Sequence, residues 1–535
     1  MDVSLVRSVA SRAADAAPSA SQSGARRIAR NAAAVFGADS WTRLVSLVLV
    51  IAIARALGEA ALGSYVLALA AIFIGSATTS LGLNPYLTRE LAKSADRREH
   101  QRLVGAALGA RIMVGAPIAL VLATGTALLP IGIPSAPLVA LVALAIVTAS
   151  IGELFAAALR GVEAFGAVAG ISVAARLLLV AAVALSLLLG QGVQAALTVH
   201  VLTNAILAWF FYHALRGRIG ALGIVWAPSD WRQLLPEALP FAGIGIGAIV
   251  FLRSDVLLLG AIRGPAEVSW YASAARLLET LELLPAAIVA ASFPAMARLQ
   301  TTAAGYAILR QGVVRGALWL GVLSLLAVGA LALLRQPLTA LLFGDLGARA
   351  ASTLVILVWA VPPLFLRSLA GHVLYAVGRQ RDVLVVLLLA TLASTVMNLL
   401  FMPVWGYQAA AVSRVVAEVF LTGWLGYLAL GQLAPRRWQR GAGFGKSGRV
   451  LLGLGIGTLW STVLTFVVIP TLSDLAHQDR LFPETPASVY IALASVVMTV
   501  AATAALVRRC AHEAVRGLAV PAAGPGRRPL RSPPC

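Results

Sequence analysis

Apolar runs of about twenty residues, separated by short polar stretches, recur from residue 32 to residue 507 of the chain. Runs longer than about 18 apolar residues read as membrane-spanning helices. The pattern predicts about fourteen of them, near 32–56, 60–81, 103–130, 136–159, 168–190, 193–214, 237–262, 267–296, 313–334, 352–377, 382–403, 407–431, 449–470 and 487–507. The intervening loops alternate in charge. Arg89, Lys93, Arg97, Arg98 and Arg102 follow the second helix, and Arg216, Arg218 and Arg232 follow the sixth. Arg298 and Arg310 follow the eighth, Arg379 and Arg381 the tenth, and Arg436, Arg437, Arg440, Lys446 and Arg449 the twelfth. The opposite loops are short and carry few cations: Arg55, Arg263, Arg335, Arg349 and Arg480. Positive residues gather on the cytoplasmic side, so both termini are expected in the cytoplasm.

Composition agrees with this pattern. Of 535 residues, 60% are hydrophobic and 12% charged, and the mean hydropathy is +0.88. A water-soluble chain of this length would need more polar surface. The net charge of +20 would suggest nucleic acid in a soluble domain, but here it sits in alternate loops, so no nucleic-acid partner is expected. Cys510 and Cys535 lie in a basic tail, which gives neither a disulfide framework nor a metal site. Walker A, HExxH and paired CxxC motifs are missing, and the loops are too short for a catalytic domain, so neither an enzyme nor a cofactor is expected.

A faint repeat divides the chain. Gly58-x-Ala60, Tyr65 and Ala68 match Gly264-x-Ala266, Tyr271 and Ala274 at a constant offset, and Pro85-x-x-x-Arg89 is echoed by Pro294-x-x-x-Arg298. Both sets fall around the second helix of a six-helix block, which suggests two blocks of like orientation with a substrate site between them. The fold expected is an all-α polytopic membrane protein of two six-helix bundles, 31–215 and 237–432, joined by a cytoplasmic linker, 216–236. A cytoplasmic lead-in (1–30), a basic loop (433–448), two further helices (449–508) and a disordered basic tail (509–535) complete the chain.

Charges inside the apolar runs are the candidate chemistry. A charge at the centre of a spanning helix costs about 2.5–3.5 kcal/mol on insertion scales and normally faces a bundle interior or a watery cavity. Asp39 and Arg43 share a helix face at i,i+4 and read either as an internal pair or as an ion-coupling carboxylate beside a binding cation. Arg111 and Arg176 lie about two turns from a cytoplasmic end and either snorkel or bind. Glu153 pairs across the bundle or carries a proton. Arg253 and Asp255, two residues apart, face nearly opposite ways and each needs another partner. Arg276 with Glu279 and Arg414 with Glu418 have pairing spacings, while Arg367 has no neighbour to pair with and ranks with Arg43 and Arg253 as a substrate-binding cation. Glu282 belongs to the same deep set, and every deep cation is Arg, which grips phosphate with paired hydrogen bonds. Pro240 followed by Gly243, Gly245 and Gly247 marks either a bend or close helix packing.

Two segments carry a resemblance. ARALGEAALGSYVLALAAIFIGSATTSLGLNPYLTREL (54–91) and RSDVLLLGAIRGPAEVSWYASAARLLETLELLPAAIVAASFPAMARL (253–299) resemble the early and seventh-to-eighth-helix signatures of Wzx-type polysaccharide flippases. These belong to the multidrug/oligosaccharidyl-lipid/polysaccharide superfamily, whose helix 7 charged position corresponds to Arg253 and Asp255. Charges on helix 1 of relatives fall where Asp39 and Arg43 stand. The resemblance covers helices 1–12 and implies a V of two bundles that moves undecaprenyl-diphosphate-linked glycan from the cytoplasmic to the periplasmic face. Alternating access would be coupled to a proton or sodium gradient, with glycosyltransferases and a polymerase as pathway partners and the polyprenyl tail left among membrane lipids. Fourteen helices depart from the twelve of many Wzx proteins and match the lipid II flippases of the MurJ type, which is the secondary reading, and Asp39 as coupling carboxylate would suit a cation-coupled drug exporter.

Overall fold

The computed structural model describes residues 3–93, 96–128, 136–226, 228–299 and 303–433, with only the backbone described for 3–36, Asp39 and scattered other positions. Chain contacts divide the molecule into two units, 1–456 and 457–535, and every described residue belongs to the first. The expected helices 449–470 and 487–507 lie outside the described residues.

Among the described residues the secondary structure is entirely helical. In order come α1 (Val3–Thr79), α2 (Leu83–Leu91), α3 (Arg97–Ala110), α4 (Ala116–Leu128), α5 (Ala136–Gly161), α6 (Phe165–Leu188), α7 (Val193–Ile219) and α8 (Pro228–Arg263). Then follow α9 (Pro265–Leu281), α10 (Leu283–Leu299), α11 (Ala303–Phe343), α12 (Gly347–Leu357), α13 (Val361–Ala376) and α14 (Gln380–Gln432). A π-helical turn, Arg111–Gly115, separates α3 from α4. Among the described residues, eight helical stretches are long and apolar enough to cross a membrane, so this is a multi-pass membrane protein. Some are too long for one pass. Ser40–Thr79 has 40 residues and would measure about 60 Å as a single helix, twice the hydrocarbon thickness of about 30 Å. Gly58 breaks it (φ 79°, ψ −173°), and Gly406 (φ 52°, ψ −132°) breaks α14. Each of the first twelve expected helices thus has a helical counterpart, although α11 extends well beyond 313–334 and the tenth is built from α12, a short 3-10 turn and α13.

Small residues let the helices meet closely, as membrane packing favours. A Cβ on Gly63 would stand 1.8 Å from the Pro265 carbonyl oxygen, so the second arm of α1 and the start of α9 touch backbone to backbone. A Cβ on Gly260 would strike Leu67, and one on Gly75 would strike Ile146. The backbone also registers the repeat: Gly264 (φ 89°, ψ 179°) has nearly the torsions of Gly58, and Tyr65 and Tyr271 are both buried. The side chains of Pro294 and Arg298 fall outside those described. α8 is one helix with Pro236 and Pro240 inside it. Of its three glycines, Gly247 packs against Leu388, whereas Gly243 and Gly245 face open space. A core of Leu83, Leu87, Leu91, Leu154, Phe155, Leu159, Phe211 and Leu215 takes in Leu234 and Ala238, so the start of α8 is held by the N-terminal part of the chain. Leu188, Trp319 and Leu333 point outward and are exposed, as surfaces against hydrocarbon are.

Candidate functional site

The deep charges of α1, α8, α9, α13 and α14 converge. Arg43 on α1 reaches across to the end of α9, donating to Glu282 Oε2 (2.7 Å) and to the Glu279 carbonyl (3.1 Å). The other Glu282 oxygen accepts from Arg367 at 3.1 Å. Arg367 Nε donates to Glu418 Oε2 (2.7 Å), and Arg414 stands 3.2 Å from the second Glu418 oxygen. Glu279 is shared in the same way, by Arg253 (3.1 Å) and Arg276 (2.6 Å). The result is a ladder in which each glutamate is gripped by two arginines. Glu418 is fully buried, but Arg43 keeps 39% of its side chain exposed and Glu282 keeps 25%. The ladder is therefore sealed at one end and open at the other.

Aromatic faces support two rungs. The Arg253 guanidinium lies 5.2 Å from the centre of the Phe73 ring, and Arg414 lies 5.2 Å from that of Phe251, within cation–π range. Asp255 is buried and lies within electrostatic range of Arg414 and Arg253. It accepts one hydrogen bond from the Tyr271 hydroxyl and another from the Val256 amide (2.8 Å).

These contacts correct several sequence expectations. Arg367 is not alone; its partners lie on α9 and α14, where sequence spacing gives no hint of them. Arg43 pairs with Glu282, while the Asp39 side chain lies outside those described. The cations do not line the interior as free charges, because carboxylates neutralise most of them. The Arg276–Glu279 and Arg414–Glu418 pairs form at the expected i,i+3 and i,i+4 spacings. Glu282, which the sequence marks only as one of the deep charges, is the hub, and its i,i+3 relation to Glu279 puts both on one face. Tyr271, Phe73 and Phe251 are also missed, since buried aromatics carry no mark of a polar neighbour.

Arg111 and Glu153 form a separate group of N-terminal charges. Arg111 does not snorkel: it is 2% exposed and donates to the carbonyls of Ser150 and Ser80 and to Asn84 Oδ1. Glu153 accepts from Asn84 (3.3 Å) and Ser76 (3.5 Å). Arg176 is half-buried, within electrostatic range of Tyr65 and Arg276. Among the described residues, no group of three His, Cys, Asp or Glu side chains is placed to hold a metal ion.

Polar contacts also close both ends of the seam between residues before 216 and after 228. At the Gly58 end, Trp270 Nε1 donates to Glu59 (2.7 Å) and Arg55 donates to the carbonyls of Leu341 and Leu342. Glu267 there accepts from Arg263 (2.7 Å) and the Tyr407 amide (2.8 Å). At the α2 end, Arg89 stands 3.5 Å from Glu237 and stacks on Phe241, and Arg102 grips Asp230 through two hydrogen bonds (3.0 and 2.8 Å).

Comparison with known proteins places this arrangement. A family model described as "Polysaccharide biosynthesis protein" matches residues 28–300, about half of the chain. The chain belongs to the polysaccharide biosynthesis protein family. The family match takes in Arg43, Arg111, Glu153, Arg176, Arg253, Asp255, Arg276, Glu279 and Glu282, and stops short of Arg367, Arg414 and Glu418. Among solved structures, the lipid II flippase MurJ in an inward closed conformation superposes with a TM-score of 0.62 at 12% identity, covering 89% of this chain and 99% of that one. An inward-facing multidrug resistance transporter of the MATE family superposes with 0.52 at 16% identity, over 73% of this chain and 95% of its own. A transporter of the same superfamily from Pyrococcus furiosus gives 0.51 at 14%, over 76% and 96%. These likenesses show that this polysaccharide biosynthesis protein has the fold of the multidrug/oligosaccharidyl-lipid/polysaccharide superfamily. No curated protein sequence matches the chain.

Proposed function

We propose that the protein is a flippase that carries polyprenyl-diphosphate-linked oligosaccharide across the bacterial inner membrane, from the cytoplasmic to the outer face, by alternating access. The carrying observation is the charge of the ladder. Five arginines (Arg43, Arg253, Arg276, Arg367 and Arg414) share three glutamates (Glu279, Glu282 and Glu418), and the buried Asp255 lies within electrostatic range of Arg414 and Arg253, which leaves an excess of one positive charge. A diphosphate bridging a lipid and a sugar carries about two negative charges, and guanidinium forks suit its oxygens. At the open end of the ladder, the diphosphate would take Arg43 and Arg367 from Glu282. Segments 31–215 and 237–432 would rock as two bundles about the ladder, while the polyprenyl tail stays in lipid. Family membership supports this cargo, and the glycosyltransferases and polymerase of such a pathway would be its partners.

Lipid II presents the same diphosphate, so a lipid II flippase is the second reading. A cation exporter is disfavoured, because the surplus positive charge repels a cationic cargo. The test is a deletion strain in which the leaflet position of lipid-linked glycan is measured. The glycan is expected to accumulate on the cytoplasmic leaflet and to be cleared by the wild-type gene but not by Arg367→Ala. Accumulation of lipid II instead would establish the second reading. Normal export of both lipids in the deletion strain would overturn the flippase assignment.

A further inference from the structure

A second polar cluster lies where α1, α2, the π-helical turn and α5 meet. Arg111 opens that turn, and π-helical turns are rare and gather at functional sites. Its guanidinium is seated by two carbonyls and Asn84, its Nε has no partner, and it borders a cavity of about 50 Å³ shared with Thr79, Gly115 and Ser150. The negative charge that offsets it is reached through one amide. Asn84 accepts from Arg111 (2.8 Å) and donates to Glu153 (3.3 Å). Arg111 is buried, whereas Glu153 is exposed. A carboxylate open to water is thus tied through a single side chain to an arginine closed off from it.

Asn84 is well placed to pass on a change. It is the second residue of α2, directly after Leu81 and Gly82, which both hold left-handed torsions (φ 52° and 72°). A Cβ on Gly82 would stand 2.1 Å from the Ala238 carbonyl oxygen, so the start of α2 sits hard against α8. Further along α2, Arg89 reaches Glu237 and stacks on Phe241, both on α8. The short helix held by Glu153 therefore meets α8 at this end, beside α3, whose Arg102 pairs with Asp230.

We propose that Glu153, tied through Asn84 to Arg111, is a proton-binding site whose occupancy sets how α2 sits against α8. The proton comes from water at the open side of the carboxylate and returns to it, and no other group changes. Charge-assisted hydrogen bonds are roughly twice as strong as neutral ones. A neutral Glu153 therefore grips Asn84 less and stops offsetting Arg111, which the adjoining cavity gives room to shift. The groups acting on Glu153 from its surroundings are Arg111 from the π turn, Asn84 from α2, Ser76 from α1 and Arg160 from its own helix. α7 meets α5 beside it through Ala208 and Gly152, and α4 contributes Ala116 to the cavity wall.

Proton binding here does not depend on which cargo the protein carries; only its coupling to transport rests on the flippase reading. The test uses the full chain in lipid nanodiscs, with Cys510→Ser and Cys535→Ser removing the native thiols. Spin labels at Ala92→Cys and Leu239→Cys, both exposed positions, report the spacing of α2 and α8 between pH 8 and pH 5. Two distance populations are expected to exchange with pH. Glu153→Gln should hold the low-pH population throughout, and Glu153→Asp should restore titration. Should Glu153→Gln not fold, Asn84→Ala keeps the carboxylate and cuts the tie, and it too should abolish the exchange. A wild type with no exchange, or an exchange that survives in the variants, overturns the proposal. Failure of the glycan assay would overturn the flippase reading and leave this result standing.

Discussion

Glu418 has no exposed side-chain surface and lies between Arg367 and Arg414. Removing its charge leaves two guanidinium groups without their closest counter-charge, and breaking a buried ion pair from one side costs about 3–5 kcal/mol. Glu418→Gln should therefore lower the thermal unfolding temperature in detergent by several degrees. Arg102→Ala breaks a pair at the exposed edge, where ion pairs contribute little, and should leave the temperature nearly unchanged. Residues of this kind were half legible in the sequence. The spacings of Arg276–Glu279 and Arg414–Glu418 announce pairs on one helix face. The partners of Arg367 and Arg43 come from other helices, so nothing in the linear order could name them. Asn84 was hidden for a different reason: it is an ordinary polar residue near a helix end until Arg111 and Glu153 are brought to either side of it.

At the scale of elements, glycines decide how closely helices approach, and they do not all matter equally. Gly63 faces the Pro265 backbone, and Gly406, at φ 52°, would put a Cβ 2.1 Å from Glu267 Oε2. Gly63→Ala and Gly406→Ala should each reduce the yield of folded protein and its melting temperature, while Gly243→Ala, in open space, should be tolerated; size-exclusion profiles and thermal melts check both. Helix positions were readable because a bilayer demands long apolar runs with internally satisfied backbones. The π-helical turn was not. It arises from how Arg111 is seated among α1, α2 and α5, and no apolar period encodes it.

Across the whole molecule, Arg43 is the rung of the ladder that α1 supplies, the other members standing on α8, α9, α13 and α14. Under the proposed function it both binds cargo and ties the two bundles. Arg43→Ala should reduce glycan export at least tenfold while the protein remains folded and in the membrane. Arg43→Lys keeps the charge but loses the paired fork, and should recover only part of the activity. Export at the wild-type level in Arg43→Ala would remove that residue from the site. The membrane class and the superfamily fold were legible from composition, loop charge and two short signatures. The closure of the seam at both ends was not, because it joins residues such as Glu59 and Trp270 that lie far apart in the chain.

The near-equal torsions of Gly58 and Gly264 bear on the history of the gene. A doubled ancestral cassette would keep the geometry of its corners long after its side chains had drifted, because a corner torsion fixes the direction of every helix that follows it. Exchange of the tips 56–60 and 262–266 between their two settings should accordingly yield a chain that still inserts and folds.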